Sequence, residues 1–348
     1  MLTVLSVGFA LAPVGPDAVG GSEQVLSVLD AAVVTHGHRS IVVACAGSRA
    51  AGELVEAAAA PTDPIDDAQR DRAQSSIRQA VADIVRREPL DVVHMHGLDF
   101  SACLPPPGVP TLATLHLPPA WYPPEALAPT RADTWLNCVS AAQHAACPPG
   151  AWLLPPIANG VAIDRFAPTT HARRPFALML ARICPEKGVH LALDAARVAD
   201  MALFIGGTVF PYPAHRAYFE QEIRPRLDER RRFLGPLEFA RKRRLLAAAR
   251  CVLVPSLAPE TSSLVAMEAL ACGTPVIAFR AGALAEIVEH GRTGFLVSDA
   301  IEMAEAMRLT GTIDPAACRA AARSRFSQAT MVEAYLARYA LLARRAAA

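Results

Sequence analysis

Short runs of apolar residues recur along this chain, and most are followed by a stretch whose apolar positions repeat at helical spacing. Leu2–Val7, Ile41–Cys45, Val92–Met95, Thr111–His116 and Trp135–Ser140 make a first series of runs. Phe176–Leu180, Met201–Ile205, Cys251–Pro255 and Pro275–Phe279 make a second. A strand that is apolar throughout has no face to give to solvent. It belongs in a parallel sheet covered on both sides by crossover helices. The intervening stretches suit that covering role. Val25, Leu26, Leu29 and Val33 form one stripe, with Ser22 as a plausible N-cap and a stop at Gly37. Ile77, Val81, Ile84 and Val85 form another, ending before Pro89. Residues 187–199, 238–249 and 263–272 repeat the pattern in the second series.

The chain has 348 residues, a length that suits two domains. The two series predict an α/β protein with two doubly wound, Rossmann-like domains facing each other across a cleft. The expected boundaries are 1–165 and 166–325, joined near Pro155–Pro168, with a C-terminal helix at about 326–348 packing back on the first domain. Hydrophobic residues make up 52% and charged residues 19%, which excludes global disorder. Lys+Arg 34 against Asp+Glu 33 leaves a net charge of +1, so the chain is not a polycation and nucleic acid is not an expected partner. The 29 prolines disfavour one long helical bundle.

No apolar stretch reaches the ~20 residues of a membrane span. The apolar start Met1–Ala10 has no basic residue ahead of it and reads as a buried first strand, not a leader. The eight cysteines are scattered with no Cys-x-x-Cys pair, which predicts neither a disulfide framework nor a zinc site and fits a reducing cytoplasm. His94 and His96 share one face at a strand end, but no third ligand is evident, so no metal is expected.

Ligands of doubly wound sheets bind beyond the carboxyl ends of strands, often at helix N-termini. The densest chemical signal in the chain has that form. It is Pro255-Ser-Leu-Ala-Pro-Glu260-Thr-Ser-Ser-Leu-Val-Ala-Met-Glu268-Ala-Leu-Ala-Cys-Gly273-Thr-Pro. A strand is followed by a turn carrying Glu260, then by a helix carrying Glu268 two turns in. Ser262, Ser263 and Leu264 would present free backbone N–H groups to an anion. The carboxylates suit hydroxyls, such as those of a sugar or a ribose. Taken alone, Glu260 could equally be a capping acid on a surface helix.

A second signal is Leu180-Ala-Arg182-Ile-Cys-Pro-Glu-Lys187-Gly188 on the loop leaving another strand. Arg182 offers a planar fork and Lys187 a mobile point charge, a pair suited to a diphosphate, although a solvated basic loop would read the same way. Gly20-Gly21 after the first strand would allow a ligand close to the backbone, or simply make a turn. The basic runs Arg224–Arg232 and Arg241–Arg244 read as solvated helix faces, with an anionic acceptor or a membrane surface as the sharper alternative. Trp121 and Tyr122 offer aromatic surface for sugar stacking or, preferably, loop packing.

These residues resemble a known family. The spacing Glu260-x7-Glu268 followed by Ala-Leu-Ala-Cys-Gly-Thr-Pro-Val-Ile-Ala is similar to the signature of the retaining nucleotide-sugar glycosyltransferases of family 4, which have the GT-B fold. Arg182…Lys187-Gly188 resembles that family's diphosphate pair. Asn159-Gly160-Val161…Asp164…Phe166 resembles its interdomain segment, and Glu286-Ile-Val…Gly291-Arg-Thr-Gly294-Phe-Leu-Val its closing motif. Gly20-Gly21, His116, Ser140 and Leu234-Gly235 fall in the expected order. The resemblance covers nearly the whole chain and is more specific in the second half. Three positions depart from the family pattern: Ser262-Ser263 replaces Phe-Gly, Ala181 replaces a glycine, and Gly282-Ala-Leu-Ala-Glu286 replaces Gly-Gly-Leu-Pro-Glu.

The resemblance implies roles. Arg182 and Lys187 would hold the donor diphosphate, Glu260 the sugar hydroxyls and Glu268 the ribose. Ser262, Ser263 and Leu264 would give backbone donors, Gly20 and Gly21 would approach the phosphate, and His116 would lie near the reacting centre. The implied activity is metal-independent, retaining transfer of a hexosyl group from a UDP- or GDP-linked sugar to an acceptor hydroxyl, with no cofactor. The acceptor would be a saccharide, a lipid-linked glycan or a small molecule. The absence of any Asp-x-Asp fits metal-free chemistry. The expected location is the cytoplasm, with peripheral contact at the inner membrane surface left open. A nucleotide-sugar epimerase of the same fold and a non-catalytic nucleotide-sugar-binding protein are the alternatives.

Overall fold

The computed structural model of the protein describes residues 1–166 and 173–346. It divides into two units, the first comprising residues 1–158 and the chain from Thr330 onward, the second residues 159–329. The division falls after Ala158, where a boundary after Arg165 is expected from the sequence. Residues 159–165 go with the second unit because Val161 exchanges backbone hydrogen bonds with Phe326 and Gln328.

The first unit runs β1 (Thr3–Val7), α1 (Gly21–Thr35), β2 (Arg39–Cys45), β3 (Glu53–Ala58), α2 (Asp67–Arg87), β4 (Val92–Met95), β5 (Thr111–Leu115), β6 (Thr134–Cys138), α3 (Ala141–Ala145) and β7 (Leu153–Leu154). Among the described residues its sheet has the order β3-β2-β1-β4-β5-β6-β7, with parallel pairing throughout. Helix α1 is capped at Gly20, without a side-chain bond, and not at Ser22 as the sequence suggests. Strand β3 lies outside the apolar runs read from the sequence. Its exposed Glu53 and Glu56 mark an edge strand, which a search for wholly apolar runs passes over.

The second unit runs β8 (Phe176–Leu180), α4 (Val189–Val198), β9 (Ala202–Gly206), α5 (Pro213–Tyr218), β10 (Arg231–Phe233), α6 (Phe239–Ala248), β11 (Cys251–Val254), α7 (Leu264–Ala271), β12 (Val276–Phe279), α8 (Leu284–Ile287), β13 (Gly294–Val297), α9 (Ala300–Leu309) and α10 (Pro315–Arg325). Its parallel sheet has the order β10-β9-β8-β11-β12-β13 among the described residues. Side chains alternate between its faces. Leu178, Val252, Val254, Val276 and Ala278 join one core with α7 and α10, while Ala177, Met179, Leu253 and Ile277 join another with α4 and α9. Both faces are therefore dry, which is why these strands carry no polar alternation. The run Arg224–Arg232 is not a helix face. It passes through a tight turn into edge strand β10, where Arg231 is buried and pairs with Asp228 at 2.8 Å. Among the described residues no helix is long and apolar enough to cross a membrane.

The last helix, α11 (Gln328–Ala346), carries Tyr335 and Tyr339 fully buried into the first unit. Their hydroxyls need partners there and find them at the ends of β4, β5 and β6. The Asn137 amide donates to the Tyr335 hydroxyl at 3.0 Å, and Thr114 lies 3.3 Å from the same group. His94 bridges Tyr339 through Nδ1 (2.7 Å) and Thr114 through Nε2 (2.7 Å). The ring of His96 lies beside that of His94, 3.9 Å between centroids.

Burial holds the pKa of both His94 and His96 well below the ordinary histidine range, and the neighbouring imidazoles add to it. Unfolding exposes these rings to water, where they take up protons below a pH of about 6.5. The unfolded chain thus binds more protons than the folded one in mildly acidic solution, and stability falls as pH falls from about 6.5 towards 5. The two rings alone should give a slope that rises from about 1 kcal/mol per pH unit near pH 6.5 towards about 3 near pH 5. Urea unfolding at stepped pH measures it; a stability flat between pH 6.5 and 5 would contradict the buried, neutral state of this pair.

Candidate functional site

In the second sheet the strand order turns at β8 and β11, which lie side by side while their crossovers leave in opposite directions. Their carboxyl ends therefore open a crevice. The loop after β8 is Ala181–Gly188 and the loop after β11 is Pro255–Ser263. The two are tied by backbone. The Leu257 N–H donates to the Glu186 carbonyl at 2.8 Å. Gly188 sits in the left-handed region (φ 63°), where a Cβ would stand 2.1 Å from the Pro255 carbonyl oxygen. Only glycine combines that φ with that approach.

This backbone contact brings together residues far apart in sequence. The Lys187 ammonium donates to Glu260 Oε1 at 2.6 Å, and the Ser256 hydroxyl bonds the same oxygen. The Glu260 main chain is fixed from the other side, since the Ala283 N–H donates to its carbonyl at 2.7 Å. Gly282 (φ 57°) lets the chain pass, where a Cβ would lie 2.3 Å from that carbonyl oxygen. Ser263 caps α7, its hydroxyl accepting from the Ala266 N–H at 3.4 Å. The first-turn amides of α7, from Leu264 onward, have no carbonyl one turn back. The Ser262 hydroxyl is buried and makes no hydrogen bond. Arg182 is half-buried, and its charge helps to lower the pKa of both Glu186 and His215.

Helix α7 is apolar on nearly every face and is buried accordingly, which carries Glu268 into the interior. Lys242 of α6 reaches it, Nζ to Oε1 at 2.7 Å, while Oε2 is buried without a partner. Burial raises the pKa of Glu268, and the Lys242 charge and hydrogen bond work against that rise. Lys242 is therefore not part of a solvated face, as the reading of 241–244 has it. It sits near the rings of Phe166 and Phe239, 5.8 Å from each centroid, while Arg241, Arg243 and Arg244 are exposed. Nothing in the spacing of Lys242 and Glu268 marks them as partners.

The second unit thus carries Arg182, Lys187, Glu260, Ser262, Ser263, Leu264 and Glu268 on the loops after its central strands β8 and β11 and on α7. Gly20, Gly21 and His116 belong to the first unit. There Gly20 and Gly21 open α1, beyond the end of β1. His116 follows β5, its ring stacked on His96 with Nε2 3.0 Å from Nδ1, and burial pulls its pKa down to about 4. The buried Tyr122 hydroxyl accepts from the His116 N–H at 3.0 Å, so Tyr122 packs under this turn while Trp121 is 40% exposed. A cavity of 310 Å³ lined by Arg173, Arg250, Thr310 and Ile313 lies at the opposite, amino ends of the second sheet's strands and takes no part in this site.

The architecture is that of the GT-B glycosyltransferases: two parallel-sheet, Rossmann-like units. Residues 174–310, which hold every second-unit residue of the site, match the family model of glycosyl transferases group 1. The chain is 36% identical over 126 residues to a D-inositol 3-phosphate glycosyltransferase of Corynebacterium efficiens, a match covering 33% of this chain and 29% of that one. The matched part is well under two thirds of the length of that relative. Over nearly full length the fold is similar to that of AviGT4, a glycosyltransferase involved in avilamycin A biosynthesis (25% identity, TM-score 0.73, 99% of this chain and 98% of that one). It is also similar to that of Alr3699/HepE of Anabaena, solved in complex with UDP and glucose (21% identity, TM-score 0.71, 98% and 100%).

The Lys242–Glu268 pair is buried, so removing one member strands the other. Lys242→Met should cost about 3 kcal/mol in chemical denaturation, and adding Glu268→Gln should recover part of it. A Lys242→Met chain as stable as the parent would contradict the buried ion pair.

Proposed function

We propose that the protein is a glycosyltransferase that moves a hexosyl group from a UDP- or GDP-linked sugar to an acceptor hydroxyl, with retention of anomeric configuration and without a metal or other cofactor in the transfer. The observation that carries this reading is the approach of Lys187, Glu260 and the α7 N-terminus where β8 and β11 end, with Arg182 on the same loop as Lys187. The match of residues 174–310 to a glycosyltransferase model and the UDP bound by a structural neighbour support it.

Breaking the sugar–phosphate bond leaves negative charge on a nucleoside diphosphate. Fixed cations and helix-terminal amides stabilise charge that develops in the transition state, and they need no reorganisation to do so. Arg182 supplies a fork for two phosphate oxygens and Lys187 a mobile ammonium. Lys187 is paired with Glu260 at 2.6 Å. A diphosphate competes for that ammonium, and each step of Lys187 towards phosphate releases Glu260 Oε1 to accept donor-sugar hydroxyls. Glu268 Oε2, buried and unpartnered, accepts from the ribose. Retention follows from attack on the leaving-group face, with a donor phosphate oxygen taking the acceptor's proton. His116, neutral at pH 7, is the imidazole assigned to the sugar side. The acceptor is a saccharide, a lipid-linked glycan or a small molecule, and the exposed Arg241, Arg243 and Arg244 are available to an anionic surface.

Thermal unfolding with UDP, GDP and ADP tests donor binding. One nucleotide at 100 times its Kd should stabilise the chain by about 2.7 kcal/mol, and stabilisation by none would remove the basis of the reading. With the stabilising nucleotide's sugar as donor, Lys187→Ala should lower turnover by about 10²–10³. Unchanged turnover rejects the role of Lys187. Conversion of the donor into an isomeric nucleotide-sugar without any acceptor would make the enzyme an epimerase.

A further inference from the structure

Three side chains in the second unit converge on one point outside the roles assigned so far. They are Cys184 and Glu186, in the loop after β8, and His215, in the first turn of α5. The Cys184 thiol, a Glu186 carboxylate oxygen and a His215 ring nitrogen all lie within 4.8 Å of one another. Cys184 is 1% exposed. Glu186 Oε2 and His215 Nδ1 are both buried, and neither makes a hydrogen bond. A buried polar atom left without a partner costs free energy, so two at one place call for something that satisfies both.

The local backbone builds this point. Cys184 is the last extended residue before the tight turn Pro185–Lys187. The Glu186 carbonyl accepts from the Leu257 N–H, which fixes the turn against the neighbouring loop. On the other side Pro213 starts α5, and the Tyr212 ring meets the His215 imidazole edge-on, 5.1 Å between centroids.

We propose that Cys184, Glu186 and His215 form a binding site for one thiophilic divalent cation of the zinc class. Thiolate, imidazole and carboxylate together form a ligand set that such an ion takes tetrahedrally, with Zn–S about 2.3 Å and Zn–N about 2.0 Å. Tetrahedral bonds of that length set ligand atoms about 3.3–3.8 Å apart, so side-chain shifts of about 1 Å would seat the ion. Binding replaces the thiol proton, which leaves to solvent, so thiolate and carboxylate together neutralise the dication. Three protein ligands leave a fourth position open. The site is separate from the sugar-transfer reading and does not depend on it, but it lies in the loop between Arg182 and Lys187. A bound cation ties that loop to α5.

The test uses the full chain and two probes. With Co²⁺, one equivalent should give thiolate-to-cobalt charge-transfer absorption, absent in Cys184→Ser. With Zn²⁺, competition against a chromophoric chelator should show one site, weakened at least about tenfold in His215→Gln. His215 is not fully buried, so that variant keeps the fold, which circular dichroism verifies, and it decides the matter should Cys184→Ser fold poorly. Three results overturn the proposal: no charge-transfer band in the parent chain, the same band in folded Cys184→Ser, or an unchanged zinc affinity in His215→Gln.

Discussion

The approach of two loop backbones, one leaving β8 and the other leaving β11, is the constraint on which the site depends. Gly188 permits it, because its left-handed φ and missing Cβ let the turn lie against the Pro255 carbonyl. The Leu257–Glu186 backbone bond then locks it. Only with the loops in this register can Lys187 reach Glu260, 73 residues away. A side chain at position 188 would separate a cation from its carboxylate without touching either.

Charges in this region are handled in pairs. Lys187 with Glu260 and Lys242 with Glu268 are both withdrawn from solvent, and each pair has a further neutral group beside it: the Ser256 hydroxyl for one, the aromatic rings near Lys242 for the other. Bare charges at these depths would cost several kcal/mol each. Pairing offsets that cost for both carboxylates beside the sheet. The first unit solves a similar problem without charge. There His94, Thr114, the Asn137 side-chain N–H and the two tyrosines of α11 hydrogen-bond one another as neutral groups.

The fold was legible where strands are buried on both faces. Val92–Met95 and Phe176–Leu180 appear in the sequence with the bounds they have in the structure, because nothing but a covered parallel strand accommodates such a run. Edge strands were not legible. Glu53–Ala58 and Arg231–Phe233 are half exposed, carry charge, and gain their conformation from a neighbour's hydrogen bonds. Local pattern holds little trace of that.

The site was legible as residue types at a spacing, not as contacts. The alternation of strand, acid and helix in 255–273 placed Glu260 at a loop and Glu268 on a helix, and both are there. That Glu268 points inward follows from the apolar surroundings Leu264–Ala271, readable once the helix is known to be buried. Its partner was hidden. Lys242 looks like one member of a basic run, and only the packing of α6 against α7 separates it from its exposed neighbours. Cys184, Glu186 and His215 are likewise joined by the fold and not by sequence spacing. Cysteine and histidine lie 31 residues apart and on different elements, so no ligand spacing joins them. The strand β9 runs parallel to β8 and returns the chain to the same end of the sheet, and that crossover, not any motif, puts the imidazole beside the thiol.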